Sequence, residues 1–302
     1  MEKTGAGDDG AVDVAWQAHR RRVFDVAYRM LGSVSEAEDV VQETYVRLLG
    51  ADIAAIVDLR AWLITVAGRL CLDQLQSSRA RRTSYIGPWL PEPLVRHDDR
   101  PASPEDRVTL DESVRMALLV VLETLSPAER TTFVLHDVFR LSFEEVGAVV
   151  GRSPAACRQL ASRARRRIAA GRDADRFATD GRELRRVAEQ FARACESGDV
   201  AALLRVLDPK AVGTFDSGGH VAGAPTGPVS GRDRMARVLA RSFAGVSATY
   251  EVADVNGEPG VVVAVDGRAV AVVALVIRDG RVVHIDAVGN PEKLSHLAPR
   301  RR

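Results

Sequence analysis

The sequence predicts a multidomain fold in which two all-α domains are followed by an α+β domain with a curved antiparallel sheet. Three observations predict this arrangement. Apolar residues recur at helical spacing over residues 13–82 and again beyond residue 112. A proline-rich segment separates these two helical stretches. Beyond residue 246, three Asx-Gly pairs interrupt runs of valine and alanine, which is the pattern of β-hairpins.

The composition of the chain excludes several classes of protein. With 302 residues, of which 46% are apolar, it can bury cores and is not predicted to be disordered. The 42 Lys+Arg and 41 Asp+Glu nearly cancel, so the total charge does not indicate nucleic-acid binding. Neither a membrane-spanning apolar run nor a signal peptide is evident, which predicts a cytoplasmic protein without a membrane partner. Cys71, Cys157 and Cys195 lack metal-ligand spacing, so we expect reduced thiols, no metal and no cofactor.

The first all-α domain is predicted over residues 10–82. A capping-box sequence predicts a helix over residues 35–49, with the first residue of the box as N-cap and Gly50 as the stop. Asp58 is the predicted N-cap of a further helix over residues 59–77.

Residues 83–112 are predicted to be a linker, because they contain five prolines and an excess of acids without a sustained apolar period. Within the linker, the segment Pro-Trp-Leu-Pro-Glu-Pro at 88–93 is apolar enough to dock on a surface rather than remain in solvent. Tyr85 follows a cluster of arginines, and an aromatic ring beside a basic rim suits stacking on unpaired bases.

A helix-turn-helix is predicted within the second all-α domain, residues 113–172. Capping boxes at Ser126 and Ser142 begin two helices, and Gly151 ends the second of them. Ser153, followed by a proline, begins a third helix that runs to about residue 170. Two capped helices joined by a three-residue turn are typical of this DNA-binding motif.

The last helix of this motif carries the predicted DNA-binding face. Residues 151–172 contain seven arginines and no acid. In a docked helix-turn-helix, the first turns of the second helix contact base edges, and flanking basic residues contact phosphates. The predicted DNA-binding residues are Arg152, Ser153, Arg158, Gln159, Ser162, Arg163 and Arg166, of which Arg158, Gln159 and Ser162 would contact bases. The alternative is an ordinary solvated arginine face.

Two further surfaces are predicted in the first domain. Arginines at the end of the helix over 59–77 favour nucleic acid, with solvated linker residues as the alternative. On the helix over 35–49, Asp39 and Glu43 share an acidic face with Glu36, and Gln42 lies beside them. Such a face would repel DNA, so it should meet a basic protein partner or only water.

Residues 181–302 are predicted to form the α+β domain. Apolar residues at helical spacing predict helices over 182–196 and 200–207, which are followed by β-rich sequence. Another helix is predicted near 231–243. Asx-Gly pairs at 256, 266 and 279 predict type I′ turns, hence an antiparallel meander of about four strands over 246–288.

Two segments resemble a known family. Residues 35–48, SEAEDVVQETYVRL, followed by residues 58–82, resemble the second conserved domain of bacterial extracytoplasmic-function (ECF) sigma factors. Residues 122–168 resemble the fourth domain of that family. The resemblance implies a subunit that binds RNA polymerase core, recognises a −35 element with its helix-turn-helix and opens the −10 element with its second domain.

The resemblance also implies roles for particular residues. The polymerase-binding surface would be Asp39, Gln42 and Glu43. The −10 element would be contacted by Arg69, Gln76, Arg79, Arg81 and Arg82.

Three motifs resemble the SigJ-type subgroup of this family, which carries a fused SnoaL-like cone. They are WLPEP in the linker, DSGGH at 216–220 and NPEKL at 290–294. His220 stands where the subgroup has lysine, and Glu292 replaces an aspartate. The resemblance implies that this domain regulates in place of a separate anti-sigma factor, by touching the second domain and the linker. The interdomain residues would be Trp89, Leu90, Pro91, Asp216, Gly218, Gly219, His220, Asn290, Pro291, Lys293 and Leu294.

The rival reading of the C-terminal domain is an isomerase, a cyclase or a ligand sensor tethered to a DNA-binding module. Its candidate pocket residues are Tyr250, His284 and Asp286. His284 and Asp286 lie two apart on a predicted strand, so they should point into one cavity. We favour structural or ligand-contacting roles for them, and therefore a non-enzyme whose partners are RNA polymerase core, promoter DNA and a small-molecule ligand.

Overall fold

The computed structural model describes residues 8–83, 85–96, 115–171, 180–221, 223–242 and 246–297. The chain divides into two compact units, of which the first comprises residues 1–80 with 122–168 and the second comprises residues 81–121 with 169–302. No helix among the described residues is long and apolar enough to cross a membrane.

The described residues before 172 form seven α-helices. They are α1 (Asp8–Leu31), α2 (Val34–Leu49), α3 (Leu59–Thr83), α4 (Met116–Glu123), α5 (Pro127–Thr132), α6 (Phe143–Val150) and α7 (Pro154–Gly171). A 3₁₀ turn, Ile53–Ala55, precedes α3, and a π-helical stretch, Phe133–Val138, continues α5.

Side-chain caps explain where most of these helices begin. The predicted capping boxes at Ser126 and Ser142 are both formed, and the Asp58 carboxylate accepts the backbone N–H of Ala61 at 3.0 Å. Gly151 ends α6 in the left-handed conformation, at φ 68°. The predicted helix-turn-helix, α6 and α7, is therefore confirmed.

The start of α2 differs from the prediction. The Ser33 hydroxyl accepts the N–H of Glu36 at 3.2 Å, so Ser33 and not Ser35 is the N-cap. The Ser35 hydroxyl instead lies 3.1 Å from that of Ser33, within the first turn of the helix. Two serines two residues apart offer alternative caps, and the sequence does not distinguish them.

In the first unit, residues before 80 and residues after 122 share one core. The buried guanidinium of Arg130 donates to the carbonyl oxygens of Leu122 and Met30, both at 2.8 Å. Gly68 on α3 packs so closely that a Cβ atom there would lie 3.0 Å from Leu135. The two predicted promoter-binding domains therefore pack directly against each other.

The second unit is an α+β domain with a seven-stranded sheet. Its elements are α8 (Gly181–Glu196), α9 (Val200–Val206), α10 (Arg232–Ser242), α11 (Pro291–Leu294), β1 (Val95–Arg96), β2 (Leu207–Asp216), β3 (Val229–Ser230), β4 (Ala248–Val255), β5 (Glu258–Val265), β6 (Arg268–Arg278) and β7 (Arg281–Val288). The strand order is β1-β4-β5-β6-β7-β2-β3.

The predicted meander is confirmed as β4 to β7. Each connecting pair has positive φ at both residues, as a type I′ turn requires; for example, Asn256 is at 55° and Gly257 at 85°. The sheet is nevertheless mixed, because β2 pairs with β7 in parallel. The strands β3 to β6 lie between β2 and β7 in the chain, so the pairing of β2 with β7 has no local signal in the sequence.

The two faces of the sheet have different coverings. One face packs against α8, α9 and α10 around residues such as Phe191 and Met235. The other face, which includes Val272 and Val288, packs against Leu90 of the linker and Leu294 of α11. Full burial of a leucine such as Leu90 contributes about 1.5–3 kcal/mol. Part of the predicted linker is therefore built into the C-terminal domain.

Candidate functional site

Asp216, at the end of β2, is the centre of a buried polar cluster that binds the linker. Its carboxylate accepts the Lys293 ammonium at 2.7 Å, the Leu90 N–H at 2.8 Å and the Gly218 N–H at 3.1 Å. It also accepts the Tyr85 hydroxyl. The side chains of Asp216 and Lys293 are only 0% and 4% exposed. A buried ion pair is costly unless its remaining lone pairs are hydrogen-bonded, and the linker supplies two of the donors.

The linker also surrounds the positive charge of Lys293. Its Nζ donates to the carbonyl oxygen of Leu90 at 2.5 Å. The same atom lies 3.4 Å from the centre of the Trp89 ring and 4.9 Å from that of Tyr85. Both distances are within the range of a cation–π interaction. Lys293 is therefore bound from one side by its own domain and from the other by the linker.

Tyr85 completes the cluster. Its hydroxyl accepts the amide Nδ2 of Asn290 at 2.8 Å and donates to Asp216. Burial and the hydrogen bond to Asp216 raise the pKa of Tyr85 well above its usual range, so the phenol remains a donor. Its ring packs edge-on against Trp89. The expectation that Tyr85 stacks on unpaired bases is therefore wrong in this arrangement, because its hydroxyl is bound to the C-terminal domain and its ring packs against Trp89.

The turn after β2 needs both of its glycines. Gly218 and Gly219 have φ of 59° and 80°, in the left-handed region. A Cβ atom at Gly218 would lie 2.5 Å from Asn290, and one at Gly219 would lie 3.2 Å from Ile86 of the linker. His220 is exposed at the end of this turn, outside the buried ion pair. Lys293, and not the residue at 220, supplies the cation.

The end motif places the remaining predicted residues. Asn290 accepts the N–H of Glu292 at 3.0 Å and so caps α11, with Pro291 exposed at the first helical position. Leu294 and Pro91 are buried. Eight of the eleven predicted interdomain residues contact the cluster or the linker, and the other three are Pro91, His220 and Pro291. We call Asp216, Gly218, Gly219, Asn290, Lys293 and Leu294 the linker cradle.

The contact extends beyond the predicted motifs. Leu94 and Asn256 exchange two hydrogen bonds, at 2.8 Å and 3.1 Å, beside the pairing of β1 with β4. Beyond the predicted linker, Arg115 forms an ion pair with Glu258 at 3.2 Å. These contacts have no signal in the sequence, because a two-residue strand and a distant ion pair have no periodic pattern.

A cavity of about 800 Å³ lies on the helical side of the sheet. Tyr250 lines it, and burial, followed by the charges of neighbouring groups, raises the pKa of Tyr250 to about 12. His284 and Asp286 lie 3.0 Å apart but not among the lining residues. The cavity is lined by Ala287, which points to the opposite face of β7. The expectation that His284 and Asp286 enter the cavity is therefore wrong.

The His284–Asp286 pair forms on the linker face of the sheet. Burial disfavours the charged imidazole, but the hydrogen bond to Asp286 and its negative charge outweigh burial, so the pKa of His284 is raised. Asp286 is 3% exposed and His284 is 30% exposed. The two residues thus form a structural ion pair outside the cavity. Among the described residues, no group of acids, histidines and cysteines could hold a metal ion.

Helix α7 presents the predicted −35 residues to solvent. Its opposite face carries an apolar stripe, in which Cys157, Ala161, Ala164 and Ile168 are buried. The predicted DNA-binding residues Arg152, Ser153, Arg158, Gln159, Ser162, Arg163 and Arg166 are all exposed. Helix α7 therefore has one face in the core and one face, with the predicted residues, exposed to solvent.

Several of these arginines are neutralised by other helices. Arg163 and Arg167 lie 3.7 Å and 2.8 Å from the Glu129 carboxylate, and Arg158 lies 3.6 Å from that of Glu144. Burial would raise the pKa of Glu129, but hydrogen bonds at the start of α5 and the two arginines lower it. The basic face is therefore less positive than the local sequence predicts, because its acids lie elsewhere in the chain.

The predicted −10 residues lie along α3. Gln76 is exposed, and Arg69 donates to the carbonyl oxygen of Ala148 on α6 at 3.3 Å. Arg79, Arg81 and Arg82 belong to α3, but their side chains lie outside the described part of the structure. In the first unit, Arg69 is thus bound to the helix-turn-helix.

The acidic face of α2 adjoins exposed apolar residues. Asp39, Gln42 and Glu43 are exposed, as predicted from their spacing. Val46 and Leu49 continue the same face and are 60% and 54% exposed. These two residues could not be assigned from the sequence, because an exposed valine or leucine on a helix resembles a core position. An acidic and apolar surface suits a protein partner.

Comparisons with known proteins cover almost the whole chain. The Sigma-70 region 2 family matches residues 15–81, and Sigma-70 region 4 matches residues 115–168. The probable ECF RNA polymerase sigma factor SigI of Mycobacterium tuberculosis is 39% identical over 291 residues, which are 95% of this chain and 96% of that protein. The ECF RNA polymerase sigma factor SigJ of the same species is 40% identical over 298 residues, covering 93% and 92%.

The crystal structure of one of these relatives agrees with this similarity. The crystal structure of SigJ from Mycobacterium tuberculosis superposes with a TM-score of 0.73 and 37% identity, over 95% of this chain and 99% of that one. The sigma factor RpoE of Bartonella quintana, solved with the anti-sigma factor NepR, has a TM-score of 0.41 and 19% identity, over 54% and 98%. The predicted domain boundaries and site residues are not tested by these similarities and stay predictions.

Proposed function

This chain belongs to the ECF family of RNA polymerase sigma factors, and we propose that it directs promoter-specific transcription initiation under the control of its own C-terminal domain. Members of this family bind RNA polymerase and direct initiation. The observation that supports control is the buried linker cradle, in which Asp216 and Lys293 hold the linker at Leu90.

The control acts through the length of the tether between the two promoter-binding domains. Residues 8–80 and 122–168 pack together in the first unit, so they must separate to contact a −10 and a −35 element at once. Docking of residues 85–96 removes up to about 40 Å of extended chain from the tether. A docked linker therefore restrains separation, and release of the linker permits it.

The binding surfaces follow the predicted residues. RNA polymerase core binds the face of α2 formed by Asp39, Gln42 and Glu43, extended by Val46 and Leu49. The −35 element binds the exposed face of α7, with Arg158, Gln159 and Ser162 at the bases. The −10 element binds the end of α3, by Arg69, Gln76, Arg79, Arg81 and Arg82.

The regulatory role takes the place of a separate anti-sigma factor, since the restraint is supplied by the same chain. The site of action is the cytoplasm, where RNA polymerase meets the chromosome. Sigma factors are not enzymes, and we infer that the C-terminal domain is not one either, because His284 and Asp286 lie on the other face of the sheet from the cavity.

Run-off transcription with purified RNA polymerase core tests the proposed initiation function. The full chain is added to core and genomic DNA fragments, and the transcript start sites are mapped. Start sites preceded by one shared −35 and −10 sequence, absent with core alone, are expected. If the full chain yields only the starts made by core alone, the initiation function is wrong.

A further inference from the structure

The cavity of the C-terminal domain is large, apolar and separate from the DNA-binding and polymerase-binding surfaces. Its volume of about 800 Å³ lies within the range of small-molecule sites. Its inner wall consists of aromatic and aliphatic side chains, which include Phe191, Phe215, Val263 and Val273. No step of the proposed initiation function uses this space.

The outer part of the cavity is positively charged. Arg234, Arg237 and Arg241 line it and are exposed, and their spacing places them on one face of α10. None of the three forms an ion pair with a described residue. The only acid among the described lining residues is Asp216, which is committed to Lys293. Arginine guanidinium groups recognise carboxylate, sulfonate and phosphate groups by paired N–H donors.

The cavity and the linker cradle share a wall. Asp216, Pro291 and Leu294 line the cavity, and Asp216 and Leu294 also contact the linker. Loss of the linker would remove the apolar packing of Leu294 against Leu90 and loosen this wall. A molecule in the cavity and the docked linker therefore stabilise the same arrangement, and such coupling is reciprocal.

We propose that the cavity binds an apolar molecule carrying one anionic group, with the apolar part inside and the anionic group at Arg234, Arg237 and Arg241, and that this binding favours the docked linker. The inference rests on the proposed control by the linker and adds the chemical class of the signal. Binding of such a molecule keeps the sigma factor restrained.

A matched pair of fluorescent probes tests the site in the full chain. 1-Anilinonaphthalene-8-sulfonate carries a sulfonate, and N-phenyl-1-naphthylamine is the same apolar body without it. The sulfonate probe is expected to bind with one-to-one stoichiometry and at least tenfold more tightly than the neutral probe. Equal affinities would contradict the anionic part of the proposal.

Two sets of variants locate the probe. Replacement of Arg234, Arg237 and Arg241 by Gln should lower the affinity for the sulfonate probe at least tenfold, to that of the neutral probe. The control replaces the exposed arginines of α8, Arg182, Arg186 and Arg193, by Gln, and should change the affinity less than twofold. If both triple variants bind alike, the proposed anion site is wrong.

A cavity-filling variant and a linker variant complete the test. Ala271→Phe, on the inner wall, should abolish binding of both probes, with folding verified by thermal unfolding. Trp89→Ala, which lies outside the cavity, should weaken binding of the sulfonate probe about threefold or more by loosening the shared wall. Unchanged affinity in either variant contradicts the proposal. The titrations contain no polymerase, so their failure is distinct from a failure of initiation in run-off transcription.

Discussion

At the scale of single residues, Lys293 shows how one side chain joins two segments of the chain. Its ammonium lies between the Asp216 carboxylate, the Leu90 carbonyl oxygen and the Trp89 ring. The resemblance to a family implied that these residues meet. Composition and spacing could not predict this contact, because Lys293 and Leu90 are 203 residues apart. The geometry explains why the motif needs a carboxylate at 216 and glycines after it.

Lys293→Met should destabilise the C-terminal unit by about 3–5 kcal/mol, because it leaves the Asp216 carboxylate buried without its cation. The double variant Lys293→Met with Asp216→Asn should recover part of that loss. Urea unfolding measures both free energies. A loss below about 1 kcal/mol in the single variant would show that the pair is dispensable.

Gln159→Ala should lower binding to the preferred −35 duplex by about 1–3 kcal/mol and relax specificity at one base pair. Arg166→Ala should weaken binding of all duplexes nearly equally, because Arg166 is assigned to phosphate. Competition binding at fixed salt concentration distinguishes the two effects. A uniform loss for Gln159→Ala would assign this residue to the backbone instead.

At the scale of secondary-structure elements, the prediction succeeded where the signal is local. The helix-turn-helix follows from caps at Ser142, Gly151 and Ser153, which act within a few residues. Which face of a strand meets the cavity depends on its pairing with other strands and not on local sequence. The face of β7 that carries His284 was therefore predicted wrongly. The ion pair of Arg163 with Glu129 joins α7 to α5, so the sequence does not show that the charge of this arginine is balanced.

The His284–Asp286 pair on β7 should make stability depend on pH. The raised pKa of His284 means that its contribution is complete below the ordinary value of 6.5 and is lost as pH rises through the folded-state pKa. His284→Gln should therefore reduce the unfolding free energy at about pH 6 more than at about pH 8. An equal reduction at both pH values would show that the charged pair does not form.

The exposed face of α2 should bind polymerase core. Replacement of Val46 and Leu49 by Lys should weaken core binding at least tenfold, because it places two cations in an apolar and acidic surface. Val14→Lys on α1, also an exposed valine, is the control and should retain core affinity. Fluorescence anisotropy of labelled full chain measures the binding. Similar affinities in the control and in the double variant would exclude this face.

At the scale of the whole molecule, one chain combines the proposed surfaces for DNA and for polymerase with a surface that binds its own linker. The near-neutral total charge conceals these local charges, because the acids of the linker and of α2 balance the arginines of residues 151–172 in the sum. The number of domains and their order could be predicted from periodicity and turns. The docking of the linker as strand β1 could not, since it depends on a surface formed by residues more than 150 positions away.

If the docked linker restrains initiation, release of the linker should increase run-off transcription with purified core. Full chain carrying Lys293→Met is compared with Lys210→Met, which removes an exposed lysine of β2 in the same domain. Lys293→Met should produce several-fold more promoter-specific transcript than the unaltered chain, while Lys210→Met should match the unaltered chain. Equal transcript from all three proteins, with the destabilised linker contact verified, would show that the docked linker does not restrain initiation.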